Sequence, residues 1–319
     1  MRPDGAGCGV ACSYGHKSLA LHTIAILSPG DMGHGIGAAL GRSGFDITTC
    51  LAGRSARTQQ LAQRGGFRMV PTLDELVVEA DIVLSILVPA EAERVARAVA
   101  RVISTQGVDT PFVDCNAIAP QTTQRIEKQI VNAGASFIDG SIIGPPPGRG
   151  LPPRLYVSGP GAHVLSALDG DEITVKVMGD RVGDASSIKM CYAALTKGTA
   201  TLQVALLTAA RALGVDEALT AELATSQENV LRQMHASIPA LPANAHRWVG
   251  EMEEIAATFE SVGLSPGFHQ GAAAVYRLLG QTEFAHESPE SVDTERTLEA
   301  TIEAMVVLLS TLPDDRYSE

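Results

Sequence analysis

Two stretches of this sequence hold residues whose types and spacing could do chemistry. In "DASSIKMCYAALTKG", Lys189 has Tyr192 at i+3 and Thr196 at i+7 on one helical face. Ile188, Met190, Cys191, Ala193 and Ala194 surround it with mostly apolar groups. Partial burial disfavours the ammonium form, so an amine there is drawn toward the range useful for proton transfer near neutral pH. Lys197, eight residues on, reads as turned away from this face and structural. The other stretch is "SPGDMGHGIG", residues 28–37, directly after the apolar run "TIAIL".

In this second stretch Gly30 sits where a backbone must pass close to a pyrophosphate, and Gly33 where a helix packs tightly on a strand. A helix beginning near Met32 would aim free N–H groups and its positive dipole end at phosphates. Ser28 holds the first glycine position of a GxGxxG pattern, where a small residue serves if φ stays negative, and Pro29 stiffens the turn. A degenerate GxGxxG alone is weak; between a first strand and a first helix it reads as a dinucleotide site. Ser28, Pro29, Gly30, Asp31, Met32 and Gly33 are therefore assigned to cofactor binding. About 20 residues on, "GRSART" carries Arg54, Ser55, Arg57 and Thr58 but no carboxylate. An acid there would take a ribose 2′-hydroxyl; cations and hydroxyls suit a 2′-phosphate, which favours NADP over NAD.

These residues need elements to hold them. Short β-rich runs, "TIAIL" (23–27), "DITTCL" (46–51), "DIVLSIL" (81–87), "PFVDC" (111–115) and "SFIDG" (136–140), alternate with helical stretches. "RLYVSG" and "ITVKV" extend the series toward residue 178. Apolar runs separated by helices predict a parallel sheet covered on both faces. From Asp184 one uninterrupted helical pattern runs to Gly214, with Asp184 or Ser186 as N-cap; the rest is helical. The expected fold is α/β: a Rossmann-type doubly wound parallel sheet, then an all-α domain, joined by a long interdomain helix. Residues 1–20 form an extension, 21–182 the NADP-binding domain and 183–319 a helical substrate and dimerisation domain.

Composition narrows the partners. The chain has 319 residues, 45% hydrophobic and 19% charged, which is globular. A net charge of -12 repels polyphosphate backbones, so the expected partner is a small-molecule substrate and not a nucleic acid. Five scattered cysteines with no CxxC point to a reducing compartment. Cys8, Cys12 and His16 lack a fourth ligand, so no metal is expected. "LALHTIAIL" suits a first strand better than a signal or a membrane span, and the protein reads as cytoplasmic.

The order SPGDMG, GRS, "DCNAIAP", "FIDGSIIGPPP" and "GDASSIK" resembles the β-hydroxyacid dehydrogenase and 6-phosphogluconate dehydrogenase-like superfamily over residues 22–212. "RWVGEMEEIAATF" and "GAAAVYRLLG" resemble a subgroup with a phosphogluconate dehydrogenase-type C-terminal domain. The resemblance implies a homodimer through the helical domain and a cleft where nicotinamide meets substrate. Lys189 matches the family's acid/base lysine, and Asn116 matches the position after the fifth strand that orients substrate oxygen beside the cofactor. Leu87, Val88 and Pro89 fall in the loop that faces the nicotinamide. The substrate loop, usually ending Ser-Gly-Gly, is Ile143-Gly144-Pro145, which loses a hydroxyl for a substrate carboxylate and argues against a simple 3-hydroxy acid. Ala193 replaces the Asn expected after the lysine, with Tyr192 as its stand-in. His269 could reach the substrate cleft, a cap or core place being the alternative; Arg149 and Arg154 flank the pocket loop. The stripe Arg247, Glu251 and Glu254 reads as a solvated or interface face. The implied activity is hydride transfer between NADP and a hydroxy acid or related carbonyl compound. Imine reduction, or NADP binding without turnover, are the alternatives.

Overall fold

A computed structural model of the protein describes residues 21–288 and 290–312. The expected leader, with Cys8, Cys12 and His16, lies outside the described residues. The sheet half runs β1 (Thr23–Leu27), α1 (Asp31–Arg42), β2 (Asp46–Cys50), α2 (Ala56–Arg64), β3 (Arg68–Val70), α3 (Leu73–Glu79) and β4 (Ile82–Ser85). It continues with α4 (Ala92–Gln106), β5 (Phe112–Asp114), α5 (Pro120–Ala133), β6 (Phe137–Ile143), β7 (Arg154–Ser158) and β8 (Thr174–Val177). The eight strands lie in the order β3-β2-β1-β4-β5-β6-β7-β8. All neighbours are parallel except β6 and β7, which pair antiparallel, so the last two strands form an inverted extension of a parallel core. β3, with two of its three residues exposed, was invisible to a reading that sought apolar runs.

Both faces of the sheet are covered. Along β1, Ile24 and Ile26 join one buried cluster while Ala25 and Leu27 join the other, the period-2 alternation of a strand with helices on each side. The helical half comprises α6 (Asp184–Leu213), α7 (Asp216–Ser226), α8 (Glu228–Ser237), α9 (Pro242–Ser261), α10 (Gly267–Leu279) and α11 (Leu298–Thr311). Met190, Ala193 and Val204 of α6 pack there with Met252, Ile255, Tyr276 and Ile302.

α6 has 30 residues, roughly 45 Å at 1.5 Å per residue. Gly214 ends it in the left-handed conformation at φ 70°, as expected. Its start differs from expectation. Neither Asp184 nor Ser186 caps it; Gly183 precedes the first turn with no side-chain cap. The orphan amides go instead to a strand. Asp139 on β6 accepts from Gly183 N (2.9 Å), Ser186 N (3.1 Å) and Ser186 Oγ (2.6 Å). Ser158 Oγ also donates to Asp139, at 2.9 Å, and accepts from Ala185 N at 3.1 Å. Burial raises the Asp139 carboxyl above its ordinary range, with these hydrogen bonds opposing the rise. The long helix is thus pinned to the sheet by its first turn.

Candidate active site

The turn after β1 is built around a strained residue. Ser28 lies at φ 60°, the sole non-glycine with positive φ among the described residues, and not at the negative φ expected of it. Its carbonyl turns back to accept from Gly30 N at 2.7 Å. That carbonyl also explains Gly33, where an added Cβ would lie 3.0 Å from Ser28 O and 3.5 Å from Ile26 Cγ2. α1 then begins at Asp31 with no side chain capping its first amides. A tight turn, a glycine that admits no side chain and an uncapped helix N-terminus fit a pyrophosphate.

At the ends of β1 and β2 a cavity of about 360 Å³ is lined by Leu27, Cys50, Gly53, Arg54, Leu73 and Val95, among others. Of the cofactor residues expected here, Arg54 lines this cavity. Ser55 is the N-cap of α2, its Oγ accepting from Thr58 N. Arg57 is turned to Glu290, with Nη2 2.5 Å from the carboxylate. Both therefore have partners within the chain, whereas the Arg54 guanidinium has no ion pair among the described residues.

On the other side of the turn lies a cavity of about 310 Å³ between the two halves. Asp31 and Met32 line it from α1, Leu87, Val88 and Pro89 from the loop after β4, and Cys115 and Ala117 from the loop after β5. Ile142, Gly144 and Pro146 come from the end of β6. α6 contributes Lys189 and Lys197, and α9 contributes Arg247, Trp248 and Glu251. Pro89 closes the seam against α9 at Gly250, where an added Cβ would lie 3.8 Å from Pro89 Cβ.

Lys189 donates from Nζ to Ile142 O at 2.7 Å. Burial, and next the Lys197 ammonium, bring its amine down to about 8, with Glu251 opposing. Lys197 pairs with Glu251 and stands 5.7 Å over the Trp248 ring. Lys197 is therefore not turned away from Lys189. Eight residues rotate a helix by only about 80° beyond two full turns, so both lysines face one cavity. Arg247 and Glu251 likewise belong to this wall and not to a solvated face. Their i,i+4 spacing on α9 was the legible signal, but nothing local said what that face meets. Glu254, the third member of the stripe, accepts from Ala119 N (2.7 Å) and Thr122 Oγ1 (2.9 Å), holding the start of α5.

Several expected site residues stand elsewhere. Asn116 is 2% exposed and does not line the cavity. Its Oδ1 accepts from Leu87 N (2.5 Å), while its Nδ2 donates to Ser85 Oγ (3.1 Å) and Asp114 Oδ2 (3.0 Å). With its hydrogen bonds spent internally it ties the β4 loop to the β5 loop, and any action on a substrate passes through the position of Leu87. Burial raises the Asp114 carboxyl to about 7, its bonds to Asn116 opposing. Ile143, next to Ile142 on β6, falls on the opposite face by strand alternation, and Pro146 takes the place expected of Pro145. Tyr192 is 45% exposed, off the cavity. His269 is 4% exposed, edge-on to Phe259 and Phe268 as a core histidine. Arg149 reaches Asp31 at 3.5 Å.

Residues 23–162 match the model for the NAD binding domain of 6-phosphogluconate dehydrogenase, and residues 210–279 match a domain of unknown function, DUF1932. Over residues 23–162 the chain is similar to the dinucleotide-binding domain of that enzyme family. An uncharacterised 28.5 kDa protein of Methanothermus fervidus is 31% identical over 175 residues, 54% of this chain and 66% of that protein, just under two thirds of its length. A solved conserved protein of unknown function, reported as similar to 3-hydroxyacid dehydrogenases, is 26% identical, with 81% of this chain and 96% of that one covered and a TM-score of 0.60. Mycobacterium tuberculosis 3-hydroxyisobutyrate dehydrogenase, solved with L-serine, is similar in fold at 18% identity, 89% and 99% coverage and a TM-score of 0.60. Within this fold, the nucleotide turn and Lys189 stand at the carboxyl ends of the strands, where open α/β sheets place their ligands.

Proposed function

We propose that this protein is an NADP-dependent oxidoreductase that moves hydride between the nicotinamide and a hydroxyl- or carbonyl-bearing carbon of an anionic small molecule. The observation that carries this reading is the Lys189 amine, brought to about 8, in the cavity bounded by the nucleotide turn. The N-terminus of α1 would hold the pyrophosphate. Arg54 would meet a 2′-phosphate, since the turn after β2 offers no carboxylate to a free ribose hydroxyl. When bound, the dinucleotide supplies the hydride donor or acceptor.

The chain's own residues supply the rest. The bond to Ile142 O holds the Lys189 amine at the cavity wall. Neutral, it takes the hydroxyl proton during oxidation; protonated, it returns one during reduction. Lys189, Lys197 and Arg247 outnumber Asp31 and Glu251 in the cavity lining, on a chain of net charge -12, which supports an acid substrate. Leu87, Val88, Pro89 and Trp248 close the walls and limit water. Val262, Leu264 and Phe268, exposed around the α9–α10 turn, support burial of the helical half in a homodimer. Free Cys50, Cys115 and Cys191 support a reducing, cytoplasmic setting. Reduction of an imine is the second reading, favoured by the loop of Gly144 and Pro146, which brings no hydroxyl to the cavity.

A panel of hydroxy acids, keto acids and cyclic imines, followed at the nicotinamide absorbance with both cofactors, tests the proposal. Turnover of an acid, faster with NADP(H), is expected. Turnover of neutral imines alone would replace it with the second reading, and none with any compound would sink the oxidoreductase assignment.

A further inference from the structure

Lys197 and Trp248 are walls of two cavities. Behind them, along α6 and away from the nucleotide turn, lies a second chamber of about 500 Å³, larger than the first and open to solvent on the side of Leu195, Thr196 and Gln233. Its lining is mixed: Ala200 and Leu241 are apolar, Thr199 and Ser237 carry hydroxyls, and Tyr276 stands at its side. The Tyr276 hydroxyl is already committed, donating to Lys197 O at 3.2 Å.

Gln203 is the odd member. It is 6% exposed and lines this chamber, yet its side-chain amide has no hydrogen-bond partner among the described residues. The little of Gln203 that is exposed includes its amide end, which is free to meet a ligand offering both an acceptor and a donor. Lys197, at the partition, is anchored to Glu251 and supplies the charge nearest the chamber.

We propose that this chamber is the specificity subsite of the same active site: it takes a neutral, elongated substituent of the substrate, ending in an amide-like hydrogen-bonding group that meets Gln203. The acid group rests at the Lys197 and Arg247 wall. This inference rests on the proposed oxidoreductase reading for the word substrate, but the subsite is a binding property and is tested as one.

Trp248, the chain's one tryptophan, lines both cavities and reports their occupancy by fluorescence. Acetate, hexanoate and 6-amino-6-oxohexanoate are titrated into the full-length protein with NADP+ present. Binding should tighten at least tenfold from acetate to 6-amino-6-oxohexanoate, with hexanoate between. Gln203→Leu should erase the advantage of the amide over hexanoate and leave acetate unchanged. Ala200→Phe, which fills the chamber without touching that amide, should bring both long probes to the level of acetate. Equal affinity for all three probes in the wild-type protein would overturn the proposal. So would an Ala200→Phe variant that keeps the length preference but changes molar mass in solution, since the chamber would then belong to a contact between copies. Length preference without turnover of any compound would leave the subsite standing and remove the oxidoreductase reading; turnover without length preference would do the reverse.

Discussion

The two ends of the central cavity are made of different material. At the nucleotide end the groups aimed at a ligand are main-chain amides, shaped by Ser28 at φ 60° and by a glycine at 33 that leaves no room for a Cβ. At the helical end they are side chains, Lys189 and Lys197 from α6 with Arg247 and Glu251 from α9. A backbone site is written into a dozen consecutive residues. A side-chain site can be gathered from helices 50 residues apart. In the proposed reading the first kind grips what many proteins share and the second decides what this one acts on.

The largest effect separates the ends outright. Lys189→Ala should lower hydride transfer about 10²- to 10⁴-fold, the range for a lost general acid or base, while NADPH affinity by fluorescence stays within about threefold. Loss of both together would show that the ends are not independent. Arg54→Ala should weaken NADPH about 10- to 100-fold, as for a charge-assisted contact of about 1.4–3 kcal/mol, and NADH little; equal losses would remove the 2′-phosphate role.

A finer test works inside the helical end. Oxidation needs the neutral amine, so its rate should climb as pH rises through about 8, and reduction should fall over the same window. Glu251 opposes the lowering caused by burial and by Lys197. Glu251→Gln removes that opposition, and the midpoint of the pH–rate profile should move to lower pH. An upward move would reverse the assignment of these charges. The smallest effect belongs to the nucleotide end: Ser28→Gly should stabilise the fold by about 0.5–1 kcal/mol in urea unfolding, the relief of a left-handed serine less the greater freedom of glycine when unfolded.

The same division explains what could be read in advance. The sheet, its glycine turn and the long helix were legible because each follows from local periodicity or from contiguous residues. β3 was not, since a three-residue edge strand with two exposed positions carries no apolar run. Lys189 was found through its apolar neighbours. Lys197 was misjudged although helical rotation alone would have kept it on the same side. Asn116 was placed by likeness, and only its three partners reveal a brace between loops. Arg57 looked free until Glu290, 233 residues away, was seen to hold it.

Asp139, the carboxylate that receives the first turn of α6, sits on a strand and takes the amides of Gly183 and Ser186, six and three residues before Lys189. Lys189 lies close to this pinned end, and Lys197, two turns on, lies against Glu251 of α9. Both are marks on one rod, about 12 Å apart along its axis. The interval between the two amines is kept by the peptide itself, a gauge that a change elsewhere in the cavity leaves alone.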